Sequence, residues 1–281
     1  SNVSVNYTRG LGFFEQYKEN QKFGNYGLSP IGIGGDTINR TDLIRKRWLD
    51  NHFYAANANV HYQKYDLELT GGAFYSYYTG DHYGEILWAR YASDSELGDR
   101  YYEGDADKRE FTVFTKATYQ LGDSWSLFGD LQGRFIHYKT SGITSDLVEM
   151  VMDEDYSFFN PKAGVSYKLN PSNQFYFSYG TAHREPSRTD FRENITTAEK
   201  LDDFELGWRF ASKNTKISTN IYYMDYKDQL VLSGEMSDTG RPLRTSSGKS
   251  YRFGLEVDAE VRLIGSGERR VGRECRSVGW P

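Results

Sequence analysis

The stretch Lys249–Leu263, KSYRFGLEVDAEVRL, alternates from end to end. Tyr251, Phe253, Leu255, Val257, Ala259, Val261 and Leu263 form one row. Arg252, Gly254, Glu256, Asp258, Glu260 and Arg262 form the other. Successive side chains of a strand point to opposite faces, so a period of two predicts a strand with one apolar and one charged face. Length matters as much as period. Ordinary strands run to about five or six residues, whereas a tilted strand that crosses a bilayer needs about 9–11.

The same pattern recurs along the chain. Phe111, Val113, Thr115, Ala117, Tyr119 and Leu121 oppose Thr112, Lys116, Thr118 and Gln120, with Phe114 as an exception. Phe204, Leu206, Trp208 and Phe210 oppose Asp203, Glu205 and Arg209. The template yields about ten strands, near 2–9, 52–64, 66–78, 107–121, 124–140, 156–169, 173–184, 201–212, 215–232 and 249–263. Short connections, KYD (64–66), GDS (122–124), NPSN (170–173) and SKN (212–214), have tight-turn compositions. They alternate with long ones at 10–51, 79–106, 141–155, 185–200 and 233–248. Short turns at one end and long loops at the other are the plan of an outer-membrane barrel. The apolar row then meets lipid and the charged row meets a wet lumen, while closure satisfies every backbone group. A soluble sheet with one buried face also alternates, but it explains neither the strand lengths nor the one-sided loops.

Composition agrees. There are 23 Tyr, 17 Phe and 5 Trp, 16% of the chain, which suits aromatic girdles at two interfaces. Mean hydropathy is −0.71, and no run approaches the roughly 18 apolar residues of a spanning helix, a criterion blind to barrel strands. A net charge of −5 argues against a nucleic-acid partner. The single Cys, Cys275, excludes an internal disulfide framework.

Several segments resemble TonB-dependent outer-membrane receptors. NPKAGVSYKLNPSNQFYFSYGTAHREPSRTDF (160–191) is similar to a mid-barrel hairpin of that family, and EKLDDFELGWRF (199–210) to the acidic entry and strand that follow. ISTNIYYMDYKDQLV (217–231) and YRFGLEVDAEV (251–261) resemble the next two strands. YTRGLGFFEQYKENQKFGNYGL (7–28) and DLIRKRWLDNHFYAANANVHY (42–62) resemble the first half of such barrels, particularly in Bacteroidota-like bacteria. The resemblance covers about residues 1–263. It implies an all-β fold, an antiparallel transmembrane β-barrel of roughly 22 strands of which about ten are present, with the plug domain absent. It also implies residence in the bacterial outer membrane, with lipid around the barrel. Energy would come from the TonB complex through the missing plug, and the cargo would be a small-molecule or metal-chelate nutrient: a ferric siderophore, haem, cobalamin or a glycan. A passive porin-like channel and a soluble ligand-binding β-protein are the alternatives. The expectation is of a piece of a longer protein, and the Arg-rich tail 264–281, without alternation, reads as disordered or foreign.

No enzyme or cofactor motif emerges. The five His (52, 61, 82, 137, 183) show no ligand spacing, so no metal site is expected. Gly32, Gly34 and Gly35 lack the strand–turn–helix setting of a nucleotide loop. For a ligand, the loop 79–106 is the first candidate: His82, Tyr83, Trp88, Arg90 and Tyr91 offer stacking faces and a cation. The alternative is that they pack the loop against its neighbours. Arg184, Arg188 and Arg192 form a second cluster suited to an anionic chelate, unless Glu185, Asp190 and Glu193 neutralise it.

Overall fold

The computed structural model describes residues 1–236 and 242–262. The tail 264–281 and Leu263 lie outside them. Strand β1 (Asn2–Lys22) leads through a 3-10 turn, Phe23–Tyr26, into a small hairpin of β2 (Ile31–Ile33) and β3 (Asp36–Ile38). Then come β4 (Arg40–Lys64), β5 (Leu67–Ala89), β6 (Arg100–Leu121), β7 (Trp125–Ile143), β8 (Glu149–Asn170) and β9 (Asn173–Arg184). A short helix α1 (Arg188–Arg192) precedes β10 (Glu199–Ala211) and β11 (Thr215–Lys227). A second small hairpin, β12 (Leu230–Met236) and β13 (Pro242–Ser246), precedes β14 (Lys249–Val261).

Ten strands form one antiparallel sheet in the order β1-β4-β5-β6-β7-β8-β9-β10-β11-β14, so each long strand pairs with its successor. The two small hairpins belong to loops and interrupt nothing. Within this sheet β1 and β14 each keep one edge unpaired among the described residues. The four short turns fall where the composition predicts them. Tyr65 and Gly122 adopt positive φ there, at 51° and 64°.

The strands are longer than the hydrophobic alternation indicates. Residues 10–22 and 40–51 continue β1 and β4, and 79–89 and 100–106 continue β5 and β6. Their backbone still alternates, as the unbroken register from Leu49↔His82 to Lys64↔Leu67 shows. What lapses is the chemistry of the outward row, where Arg9, Asp50 and Asp81 replace apolar residues. A strand that leaves the bilayer meets water on both faces, so nothing requires one face to stay apolar. The sequence-predicted strand 215–232 is shorter in fact: β11 ends at Lys227, and 230–236 form half of a loop hairpin.

Burial is inverted relative to a soluble protein. The apolar row lies open: Val5 is 80% exposed, Phe253 59% and Leu255 52%. The buried apolar residues gather at the long-loop end instead. Phe23, Tyr26 and Leu28 from the first loop pack with Leu43, Ile86, Tyr101 and Tyr102. Farther along, Phe191 packs with Ala106, Tyr138 and Met150.

On the polar face, rings lie flat over glycines of the next strand. Phe114, the exception to alternation, covers Gly72. Tyr176 of β9 covers Gly207 of β10, where an added Cβ would collide with its ring, and its hydroxyl donates to Asn220 Oδ1 of β11 at 3.1 Å. One side chain thus straps three strands. Gly207→Val should displace that ring and cost about 1–3 kcal/mol, the usual penalty of overpacking. The check is the temperature at which the folded, compact gel band is lost; it should fall by several degrees, while Gly129→Ala, facing open space, should leave it unchanged.

Candidate functional site

A cavity of about 510 Å³ opens on the polar face at the long-loop end. Its wall is made by register. Tyr78 and His82 stand on β5, Tyr102, Ala106 and Lys108 on β6, Tyr138 on β7 and Met150 on β8, all even-numbered and so all on one face. Arg47 adds β4. The remaining side is not strand: Glu185 to Thr189 and Arg192 come from the connection between β9 and β10.

That connection folds back over the sheet, held by charge and by one ring. Lys108 Nζ donates to Glu185 Oε1 at 2.6 Å, and Arg134 Nη2 reaches Glu185 Oε2 at 3.4 Å. Arg134 also donates to Glu110 Oε1 at 3.0 Å and to the carbonyl of His183. Burial works against the Glu185 charge, but the Lys108 hydrogen bond, its own backbone N–H and the nearby Lys108 and Arg134 charges hold its carboxyl below the usual range. Ser187 caps α1 in a reciprocal box with Asp190. This turns Phe191 inward against Tyr138, ring centroids 5.1 Å apart.

The sequence-predicted residues divide. His82, Arg188 and Arg192 share this cavity. Tyr83, one residue past His82, lies on the opposite face, near Trp48 and under Arg100. Trp88 follows a bulge and pairs in register with Ile44, away from the cavity. Arg90 is held by Asp42 at 2.9 Å, and Tyr91 packs against the first buried cluster. Arg184 bonds Glu199 at 3.4 Å. The loop 79–106 is therefore not a unit: most of it is strand, and only 90–99 connects.

Of the pairing read in sequence only the Arg192–Glu193 contact forms among the described residues. Arg192 reaches Asp146 at 2.8 Å and Glu193 at 3.3 Å. Asp190 is spent on the helix cap and Glu185 on Lys108 and Arg134. Arg188 has no carboxylate partner among the described residues. It lies against Gly104, where a Cβ would come within 2.7 Å of its Nη2, and acts electrostatically on Tyr78 and Tyr138. Arg47, Tyr78, Tyr102, Lys108 and Tyr138 were missed by sequence reasoning. Tyr78 and Lys108 lie within strands the alternation already indicated, and carrying the parity of β6 back past residue 107 would have found Tyr102. Among the described residues no group of three or more His, Cys, Asp or Glu could hold a metal ion.

What emerges is a cationic, phenol-lined bowl: four basic side chains, Arg47, Lys108, Arg188 and Arg192, against one carboxylate, Glu185. It sits at the end of a wall whose opposite face is apolar, and that combination defines an outer-membrane β-barrel receptor. Residues 1–278 match the family model "TonB dependent receptor-like, beta-barrel", and the chain belongs to that family. Its members are outer-membrane transport proteins and not enzymes. The fold is similar to solved structures at low identity. The copper transporter OprC matches with TM-score 0.68 and 14% identity over 94% of this chain and 41% of its own. The ferric citrate transporter FecA matches with TM-score 0.56 and 14% identity over 92% and 36%. The ferripyoverdine receptor of the outer membrane of Pseudomonas aeruginosa, bound to ferripyoverdine, matches with TM-score 0.56 and 14% identity over 94% and 36%. The chain thus spans about two fifths of the length of these structures. A search of curated proteins finds no match.

A depressed carboxyl pKa makes the fold-back of 185–198 pH-dependent. Its contribution is complete above the unfolded glutamate value of about 4.3 and is lost as pH falls through the lower folded value. The protection of this segment's amides, relative to their intrinsic exchange rate at each pH, should therefore be constant from neutral pH down to the unfolded glutamate value and should be lost on further acidification. Glu185→Gln should speed exchange roughly 10- to 100-fold at neutral pH, matching the 1.5–3 kcal/mol of a charged hydrogen bond. Unchanged protection in that variant would mean Phe191 alone holds the segment.

Proposed function

We propose that this chain is part of an outer-membrane active transporter that captures an anionic metal chelate in the bowl between β4–β8 and the 185–198 segment. The single observation that carries this reading is the excess of cations there, and within it Arg188, which has no carboxylate partner among the described residues. A cation that has no carboxylate partner among the described residues and lies beside two phenols is suited to a ligand's carboxylate or catecholate oxygens. Tyr78, Tyr102 and Tyr138 add ring edges and hydroxyl donors, which suit a chelate with aromatic or oxygen-rich arms. His82 contributes a further polar group on the same wall.

Relatives handling ferric citrate, ferripyoverdine and copper support a metal-linked cargo. Energy for release would come from the TonB complex, through a plug domain filling the lumen, and the strands that pair with the free edges of β1 and β14 would belong to the same receptor. Within that assembly the fold-back of 185–198 narrows the entrance, and its ion pairs set how readily it opens.

The test is equilibrium binding to the purified receptor of three probes: ferric citrate, a ferric tris-catecholate and uncharged cyanocobalamin. The anionic chelates should bind and the cobalamin should not. Arg188→Gln should weaken chelate binding at least tenfold, about 1.4 kcal/mol. Arg184→Gln, on the far side of the loop, should change it less than twofold. Tight binding of cobalamin alone, or an inert Arg188→Gln, would overturn the reading.

A further inference from the structure

The outward face carries a second aromatic feature that the barrel wall does not require. Going outward along β1, β4 and β5, the apolar rows end in Tyr7, Tyr54 and Tyr77, which are register neighbours with ring centroids 4.9 and 6.1 Å apart. This is the outer interfacial girdle. Beyond it the same faces turn mostly polar: Arg9, His52 and Thr79, then Asp50 and Asp81 beside Leu11. Charges there place that level in water and headgroups. Two residues farther along, the outward face becomes aromatic again, as Phe13, Trp48 and Tyr83, again register neighbours.

Six residues separate the two aromatic rows on each strand. At about 3.3 Å per residue and a tilt near 40°, the second row stands roughly 15 Å above the girdle. That is too far out for the hydrocarbon. Yet Phe13 is 53% exposed, and the rings make a continuous row: Trp48 and Tyr83 lie 6.0 Å apart with planes 22° apart, and Phe13 lies 4.6 Å from Trp48, tilted by 54°. Trp48 Nε1 donates to Glu85 Oε2 at 2.9 Å, which fixes the indole on the wall. Lys46 lies over Phe13 and Trp48, and Arg100 over Tyr83 at 3.8 Å. The contact of the exposed Arg100 is worth only about 0.5–1 kcal/mol, so a ligand displaces it at little cost, whereas Lys46 is largely covered and stays as part of the shelf.

We propose that Phe13, Trp48 and Tyr83 form a stacking platform for uncharged sugar units of an outer-leaflet glycolipid standing beside the barrel. Three features select this occupant. The platform is continuous with the lipid-facing wall, on the same faces of the same strands, so whatever covers it rises from the membrane. Its height is that of saccharide rather than acyl chain. Its polar surroundings pair each cation with a carboxylate, Arg9 with Asp50, Lys46 with Glu15 and Arg100 with Glu103, so no spare positive charge is offered to a phosphate, while these carboxylates with Asp81 and Glu85 accept from sugar hydroxyls. Flat rings flanked by acceptors suit the C–H faces and hydroxyl rims of hexoses.

The test uses the receptor purified from outer membranes, stripped of lipid and titrated with two glycolipid preparations. Both carry the same acyl chains and phosphates; one keeps its oligosaccharide and the other has lost it by hydrolysis. The intact glycolipid should bind at least tenfold more tightly. Trp48→Ala with Tyr83→Ala should abolish that difference, while Trp48→Phe, which keeps a ring, should retain most of it. Equal binding of the two preparations to the unsubstituted receptor needs no variant to fold, and it would overturn the proposal. So would a preference that survives the double substitution. Loss of a co-purifying protein from the double variant, with no sugar preference, would reassign the shelf to a protein contact. Chelate binding in the bowl on the other face is read separately and is unaffected by any of these outcomes.

Discussion

The hydrocarbon core of a bilayer holds no water to satisfy a backbone N–H or C=O, and this structure is arranged around that fact. Every long strand pairs with its chain successor, with register running from Leu43↔Ala89 to Lys64↔Leu67 between β4 and β5 and from Gly104↔Gly142 to Leu121↔Trp125 between β6 and β7. Once register is set, each residue's face follows from its parity. Lipid then selects the apolar row, and the lumen is free to carry Lys108, Glu110 and Arg134. The tight turns keep the two faces in phase from strand to strand.

The functional end arises where that constraint lapses. Above the girdle the strands continue as hydrogen-bonded ladders with water on both sides, so their side chains can be chosen for binding. On the inner face this yields the cationic bowl, completed by a segment that is not strand at all. Glu185 is the joint: it leaves β9, turns back and meets Lys108 and Arg134. A buried carboxylate between two cations stays charged, so the contact holds at neutral pH and releases in acid. Phe191 adds an apolar anchor beside it. On the outer face the same freedom leaves an aromatic shelf above the membrane.

Much of the fold was readable from residues alone, because the bilayer imposes a period of two over spans long enough to see. Lys249–Leu263 is the clearest case: its apolar row is exposed where lipid would stand. The turns at 64–66, 122–124 and 212–214 were equally legible, since their geometry demands particular residues. Strand ends were not. Where Asp50 and Asp81 replace apolar residues, hydrophobicity stops reporting the backbone, and ladder was mistaken for loop. The site suffered the same way. His82 and Tyr83 looked like partners in a loop, but on a strand adjacent residues face opposite solvents.

The sequence by itself determined the class of wall: the number of strands, the placing of short turns and long loops, and the sorting of apolar from polar faces. All of these are local, repeated consequences of one solvent boundary. Only the tertiary structure decided what stands together. Arg188 and Arg192 meet His82 across about a hundred residues of chain because the segment after β9 folds back over β6 to β8. No local period encodes that return. It depends on an ion pair and a ring packed between elements far apart in sequence, and such contacts exist only once the sheet is built.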